Sequence, residues 1–330
     1  MNFDFLISSE RSGSNLITKL LDNHSNYCGP TPPHLLKTFS DVMDGYGNLN
    51  EEDNWVRFID DFHEFFYCKI GVWALNVSKE ELLNVSPRNL EEVFRHLYQE
   101  EAKIHNKTRV FVKEVKTYGF FNFIKEKFPE SKFIWLVRDP RDMALSWTKS
   151  PVHRGDIVRA AEIWRNDQKE TIKFYEGNGS RILLVKYEDL ITNQQYELRR
   201  ICEFLAVDFE ATMVEYHKNK ISKENAVQTD NWKNLQKKII KNNSRKYLQS
   251  LSEEQIRFIE YTCHEEMKFL VYDFEYALLQ EYQYNQLYKD LKKMERHEKP
   301  EYQNIDSSEK FKRAKWYKKF LQIKSLKQDG

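Results

Sequence analysis

FDFLISSERSGSNLITKLL, residues 3–21, decides the fold. Phe3-Asp4-Phe5-Leu6-Ile7 is an apolar run of β-formers, too short for a helix and followed at once by Ser, Gly and Asn turn chemistry, which predicts a buried strand. From Ser14 onward, Leu16, Ile17, Leu20 and Leu21 fall on one stripe of an amphipathic helix. The chain therefore turns from strand to helix through Ser8-Ser9-Glu10-Arg11-Ser12-Gly13. In such a turn the first helical N–H groups lack intrahelical partners and carry the positive end of the helix dipole, so a phosphate or sulfate can dock there. Arg11 adds a planar donor fork, Gly13 lets an anion approach the backbone, and Ser12, Ser14 and Asn15 offer short donors. The bland alternative is an ordinary strand–turn–helix connection whose Ser and Gly only cap the helix. An ATP-type loop fits poorly, because no Lys follows Gly13 and the loop holds a single glycine.

A second junction of the same kind lies downstream. Ser131 to Val137 is the clearest buried strand in the chain, and it runs straight into Arg138-Asp139-Pro140-Arg141-Asp142-Met143-Ala144-Leu145-Ser146-Trp147. Pro140 suits a first helical turn and Asp139 suits its cap. Arg138 is left at the strand end, with Ser146 two turns along, and together they can clamp one phosphate. Alternatively, Arg138 and Asp139 only pair with their neighbours. Two anion sites at two strand–helix junctions imply a ligand with phosphates at two ends.

These two stretches resemble one family. SERSGSNLI is similar to the 5′-phosphosulfate loop of sulfotransferases that use 3′-phosphoadenosine 5′-phosphosulfate (PAPS), and LVRDPRDMALSW is similar to their 3′-phosphate motif. Arg181 to Leu190 reads as a strand ending in charge, and it looks like the family's strand before a Tyr-Glu-Asp-Leu turn. Asp230-Asn231-Trp232-Lys233-Asn234-Leu235 resembles the segment near the end of the family core, without the Arg-Lys-Gly run of cytosolic members. Residues 252–275, with a capped start at Ser252, resemble the closing helix. The resemblance implies a P-loop-like α/β fold, a parallel sheet flanked by helices on both faces with ligand at the carboxyl ends of the strands. It also implies in-line transfer of a sulfuryl group from PAPS to a hydroxyl or amine, leaving 3′-phosphoadenosine 5′-phosphate (PAP), without metal. Cofactor contacts would fall to Arg11, Ser12, Gly13, Ser14, Asn15, Arg138 and Ser146, with Tyr187 on the adenine.

The transfer needs a base for the acceptor proton, and two residues are candidates beside the charge of Arg11. His34 follows Pro30, Pro32 and Pro33, which hold the chain in a stiff extended path after the first helix. Glu114 stands at the end of the strand predicted over residues 109–116, between Lys113 and Lys116. Sulfotransferases of the tyrosylprotein and trehalose types carry a carboxylate roughly where His34 lies, whereas cytosolic members carry a histidine nearer Glu114. His34 is placed first and Glu114 second. His34 can equally be a plain N-terminal residue of the next helix.

Composition sets the remaining bounds. The 52 basic and 51 acidic residues nearly cancel, so no whole-chain field argues for nucleic acid. The chain has no apolar run long enough to span a membrane and no leader pattern, which predicts a cytoplasmic protein. Cys28, Cys68, Cys202 and Cys263 are scattered and predict buried thiols. Helix is predicted from Glu51 to about Lys103, over residues 119–128, from Arg154 to Gly177 and over residues 194–205. Residues 1–276 are expected to form the sulfotransferase domain. The tail, residues 277–330, is expected to be a basic helical extension that is solvated or that touches a partner or a membrane surface. A nucleotide-dependent kinase-like phosphotransferase and a non-catalytic PAP-binding module are the alternatives.

Overall fold

The computed structural model describes residues 1–327. Five strands, β1 (Asn2–Ser8), β2 (Tyr27–Cys28), β3 (Arg109–Lys113), β4 (Phe133–Val137) and β5 (Ile182–Lys186), form one sheet in the order β2-β3-β1-β4-β5. Every pairing is parallel. Helices connect the strands: α1 (Ser14–Asp22), α2 (Leu35–Phe39), α3 (Glu52–Phe66), α4 (Lys79–Leu83) and α5 (Leu90–Ile104) precede β3. Next come α6 (Phe121–Lys127) before β4, then α7 (Pro140–Thr148) and α8 (Ile157–Asn178) before β5. The rest is α9 (Tyr187–Thr192), α10 (Gln194–Leu205), α11 (Lys220–Ala226), α12 (Tyr247–Ser250), α13 (Glu253–Thr262), α14 (His264–Phe269), α15 (Glu281–Met294) and α16 (Ser307–Ser325).

Side chains alternate across each strand, so one sheet must fill two cores. Phe3, Phe5, Ile7, Val110, Val112, Phe133, Trp135 and Val137 join the larger core with α3, α5 and α8. Leu6, Phe111, Ile134, Leu136 and Val185 join the smaller one with α1, α9 and α10. Both faces are covered, which is why these strands read as apolar runs. Asp4 is the polar exception on β1; its carboxylate accepts from Tyr27 Oη at 2.6 Å and from the Lys132 amide at 2.9 Å.

Several sequence expectations shift here. The helix expected from Glu51 to Lys103 breaks into α3, α4 and α5, because the 67–78 segment runs irregularly past Trp73, whose indole donates to the Thr31 carbonyl at 2.8 Å. The strand expected from Arg181 to Leu190 ends at Lys186, and Tyr187 opens α9. Tyr27–Cys28, expected to be merely extended, pairs with β3 as an edge strand. The closing helix is two short pieces, α13 and α14. The tail folds back onto the rest of the chain. In α16, Trp316, Phe320 and Ile323 repeat at helical spacing, and Ile323 is fully buried against the main core. Residues 328–330 lie outside the described residues.

An ionic bolt joins α7 to α13. The buried Arg141 guanidinium donates to Asp139 at 2.9 and 2.7 Å and to Glu260, and lies 4.4 Å from the Tyr247 ring centroid. Removing one member of a buried ion network leaves uncompensated charge. Arg141→Ala is therefore expected to destabilise the fold by about 3–5 kcal/mol in urea unfolding; a loss under about 1 kcal/mol would mean the bolt is a bystander.

Candidate active site

β1 and β4 are neighbours, and their carboxyl ends present the loop Ser9–Gly13 beside Arg138. Such a crevice at adjacent parallel strand ends is where open α/β sheets take ligands. α8 fixes both ends from behind: the Trp164 indole donates to the Arg138 carbonyl at 2.9 Å, and Gln168 donates to Ser9 Oγ at 2.8 Å. Two loop residues have positive φ, Arg11 at 66° and Gly13 at 90°. At Gly13 a side chain is excluded twice over, since a Cβ would stand 2.4 Å from the Tyr187 ring.

Two guanidinium groups converge there. Arg138 is buried and donates to the Arg11 carbonyl at 3.0 Å and to the Asn243 carbonyl at 3.0 Å, while Arg11 Nε donates to Ser146 Oγ at 3.1 Å. Ser146 thus meets Arg11, and it lines the same cleft as Arg138. Burial and the charge of Arg138 press the Arg11 pKa down to about 10. Ser12 Oγ and Arg138 Nε are buried without a protein partner. Buried donors and like charges in this state call for an anion.

Tyr187 lies flat on Gly13 with the Arg138 guanidinium 4.6 Å from its ring centroid, and its hydroxyl accepts from Asn243 at 2.7 Å. It is packed into the wall of the cleft and only 6% exposed. The cleft, about 390 Å³, takes in Arg11, Gly13, Ser14, Asn15, Arg138, Ser146 and Tyr187. Its far wall comes from a segment whose cations the sequence expectation left out: Lys233, Lys238 and Lys246, with Trp232 beside them. Asp142 on α7 holds that segment by accepting from the Arg245 and Tyr247 amides at 2.6 and 3.1 Å.

Lys113 is the other residue missed. Its ammonium donates to Asn15 Oδ1, bringing a cation from β3 to the first turn of α1, although its side chain is buried. The signal was present in the sequence, as charge at the end of an apolar strand, but the partner strand was not.

The two base candidates prove to be neighbours. His34, with φ 63°, places Nδ1 3.6 Å from Glu114 Oε2. Glu114 is 1% exposed and neither carboxylate oxygen has a hydrogen-bond partner. At 3.6 Å the pair is in contact without a formed hydrogen bond. Glu10 sits beside it. Burial raises the Glu10 pKa, but the hydrogen bond and charge of His153, then Lys37 and His34, outweigh burial and hold it at about 2.

The fold and site together define a P-loop-like α/β protein with a cationic cleft at its strand ends. The chain belongs to the sulfotransferase family, whose model matches residues 5–211. It is similar in structure to the sulfotransferase domain of the Synechococcus PCC 7002 olefin synthase, with 22% identity over 83% of this chain and 95% of that one, at a TM-score of 0.57. Weaker likenesses are a sulfotransferase domain of the curacin biosynthetic pathway (18% identity, 88% and 97% covered, TM-score 0.48) and mouse sulfotransferase SULT7A1 complexed with PAP (15%, 81% and 84%, 0.45). No curated protein matches the chain. Among the described residues no helix is long and apolar enough to cross a membrane, and no group of three or more His, Cys, Asp or Glu is placed to hold a metal ion. All four cysteines are free and buried.

Burial pulls the Lys113 pKa to about 7, with Lys19 and Arg11 adding to the effect and Glu10 and Glu114 opposing it. Between about 7 and the ordinary 10.5 the unfolded chain binds a proton that the fold has released, so Lys113 adds stability as pH rises through that window. NMR titration of the lysine side chains in the free protein is expected to find one ammonium losing its proton near pH 7. That signal should be missing in Lys113→Met, and an ordinary titration for Lys113 would refute the assignment.

Proposed function

We propose that the chain transfers a sulfuryl group from PAPS to a hydroxyl or amine of an acceptor, by in-line displacement. The observation that carries this is the meeting of half-buried Arg11 with buried Arg138 at the ends of β1 and β4, with Ser12 Oγ and Arg138 Nε unpartnered among the described residues. Those donors fit an anionic ligand laid along the cleft. The 5′-phosphosulfate would lie on the loop, with Arg11, Ser12, Gly13, Ser14, Asn15 and the first N–H groups of α1 around it. Arg138 would take the 3′-phosphate, joined by the lysines of the far wall, while Tyr187 and Trp232 offer the two rings for the adenine.

In the transfer the bond from sulfur to the bridging phosphate oxygen breaks as the acceptor oxygen or nitrogen bonds to sulfur. Charge grows on the leaving phosphate, where Arg11 and Lys113 are placed to meet it. The acceptor proton passes to His34 Nε2, and Glu114 faces Nδ1, orienting the ring and stabilising the imidazolium that forms. In this reading the two candidates act as one pair, His34 as the base and Glu114 as its positioning residue. Cytoplasmic placement and direct use of the tail belong to the proposal only as the setting in which PAPS and acceptor are met.

Calorimetry with PAP tests the cofactor. Arg138→Ala removes a charge-assisted phosphate contact and is expected to weaken PAP by about 1.5–3 kcal/mol, roughly 10- to 100-fold. Affinity within twofold of wild type would remove the 3′-phosphate from Arg138.

The pair is tested by single-turnover transfer from PAPS to a set of hydroxyl and amine acceptors. His34→Ala should slow transfer by about 10²–10⁴-fold with PAP affinity intact, and Glu114→Gln by less. A collapse confined to Glu114→Gln would make the carboxylate itself the base.

A further inference from the structure

α16 lies beyond residue 211, where the family match ends, yet it returns to the base. The Trp316 ring meets the His34 imidazole edge to face, centroids 5.8 Å apart. It also packs on Phe65 of α3 at 5.6 Å and stacks on Phe320 at 5.0 Å with an 11° interplanar angle. Lys37, one turn from His34, lies 5.5 Å from the Trp316 ring centroid and 5.6 Å from that of Phe320. The helix is anchored on the C-terminal side of this contact. Lys319 pairs with Asp61 at 2.7 Å and with Glu64, and Lys324 donates to the Lys37 carbonyl at 2.9 Å and pairs with Asp41. Leu326 closes the end, its carbonyl 2.7 Å from where a Cβ on Gly45 would stand.

One polar group in this contact is unexplained. Trp316 Nε1 is buried and has no hydrogen-bond partner. A buried indole N–H normally finds an acceptor, so its satisfaction is left to something that enters beside His34.

We infer that Trp316 is the specificity-determining wall of the acceptor pocket, keeping water from His34 and offering its N–H to an oxygen of the bound acceptor. This rests on the sulfuryl-transfer reading above. Water is the competing acceptor that any such enzyme must refuse. In that side reaction the bond from sulfur to the bridging phosphate oxygen breaks, a water oxygen bonds to sulfur, one of its protons goes to His34, and PAP leaves with hydrogen sulfate, which gives its remaining proton to solvent. An aromatic lid over the imidazole excludes the attacking water until an acceptor displaces it.

The test is release of PAP from PAPS with no acceptor added, followed by chromatography over hours, with PAP affinity measured by calorimetry on each protein. Trp316→Ala is expected to raise release at least tenfold at unchanged PAP affinity. Trp316→Phe, which keeps a ring but drops the donor, should stay much closer to wild type than to the alanine variant. Should Trp316→Ala fail to fold, the Lys319→Gln, Lys324→Gln double variant unpins the same helix from outside and should raise release in the same direction. Release within twofold of wild type in a folded variant that binds PAP overturns the inference while leaving the transfer reading intact. Failure of wild type to bind PAP overturns both, and is read from the calorimetry alone.

Discussion

The meeting of two arginines, Arg138 buried and Arg11 half-buried, organises this molecule. Arg138 cannot leave, because its carbonyl is held by Trp164 and its own donors hold the Arg11 and Asn243 carbonyls. Arg11 cannot leave either, since its positive φ belongs to the loop that turns β1 into α1. Burial first and then the charge of Arg138 lower the Arg11 pKa to about 10, and the Glu10 carboxylate offsets only part of that. A protein that keeps such a pair spends stability for affinity, because only a bound anion turns the repulsion into attraction.

The rest of the structure distributes charge around that point in two compartments. In the cleft stand cations and hydroxyls. Around His34, cations and carboxylates mix: Glu10 feels the charges of Lys37 and His34, Lys113 those of Glu10 and Glu114, and His34 lies 3.6 Å from Glu114. Glu10 is tied through His153 to Ser150, and Ser150 to Asn231 on the cleft wall, at 3.3, 2.7 and 3.0 Å. A continuous polar chain therefore links the His34 region to the cleft wall, a physical route by which occupation of one biases the other.

Much of this was legible in the sequence because it is local. A short apolar run, a turn with one glycine and an amphipathic helix each carry their signature within a dozen residues, and both junctions formed where FDFLI and KFIWLV ended. What stayed hidden depends on neighbours distant in sequence. Lys113 points at Asn15 only because β3 pairs with β1, a register that no single strand encodes. Likewise His34 and Glu114 looked like competitors while they were 80 residues apart on paper, and became partners when α2 packed beside the end of β3. The contact of Ser146 with Arg11 was hidden for the same reason: spacing along α7 says how far a hydroxyl lies from Arg138, not what else arrives. The packing of the tail was not legible because its charge outweighs its few aromatic residues in composition, whereas Trp316, Phe320 and Ile323 fall on one stripe that finds a surface.

The contact between His34 and Trp316 joins residues very far apart in the chain. Contacts of that separation form late, since the loop they close is entropically the longest to bring together. Every strand and both arginines are synthesised before α16 exists. During assembly, then, the strands and both arginines of the cationic cleft can be in place before α16 arrives to cover His34.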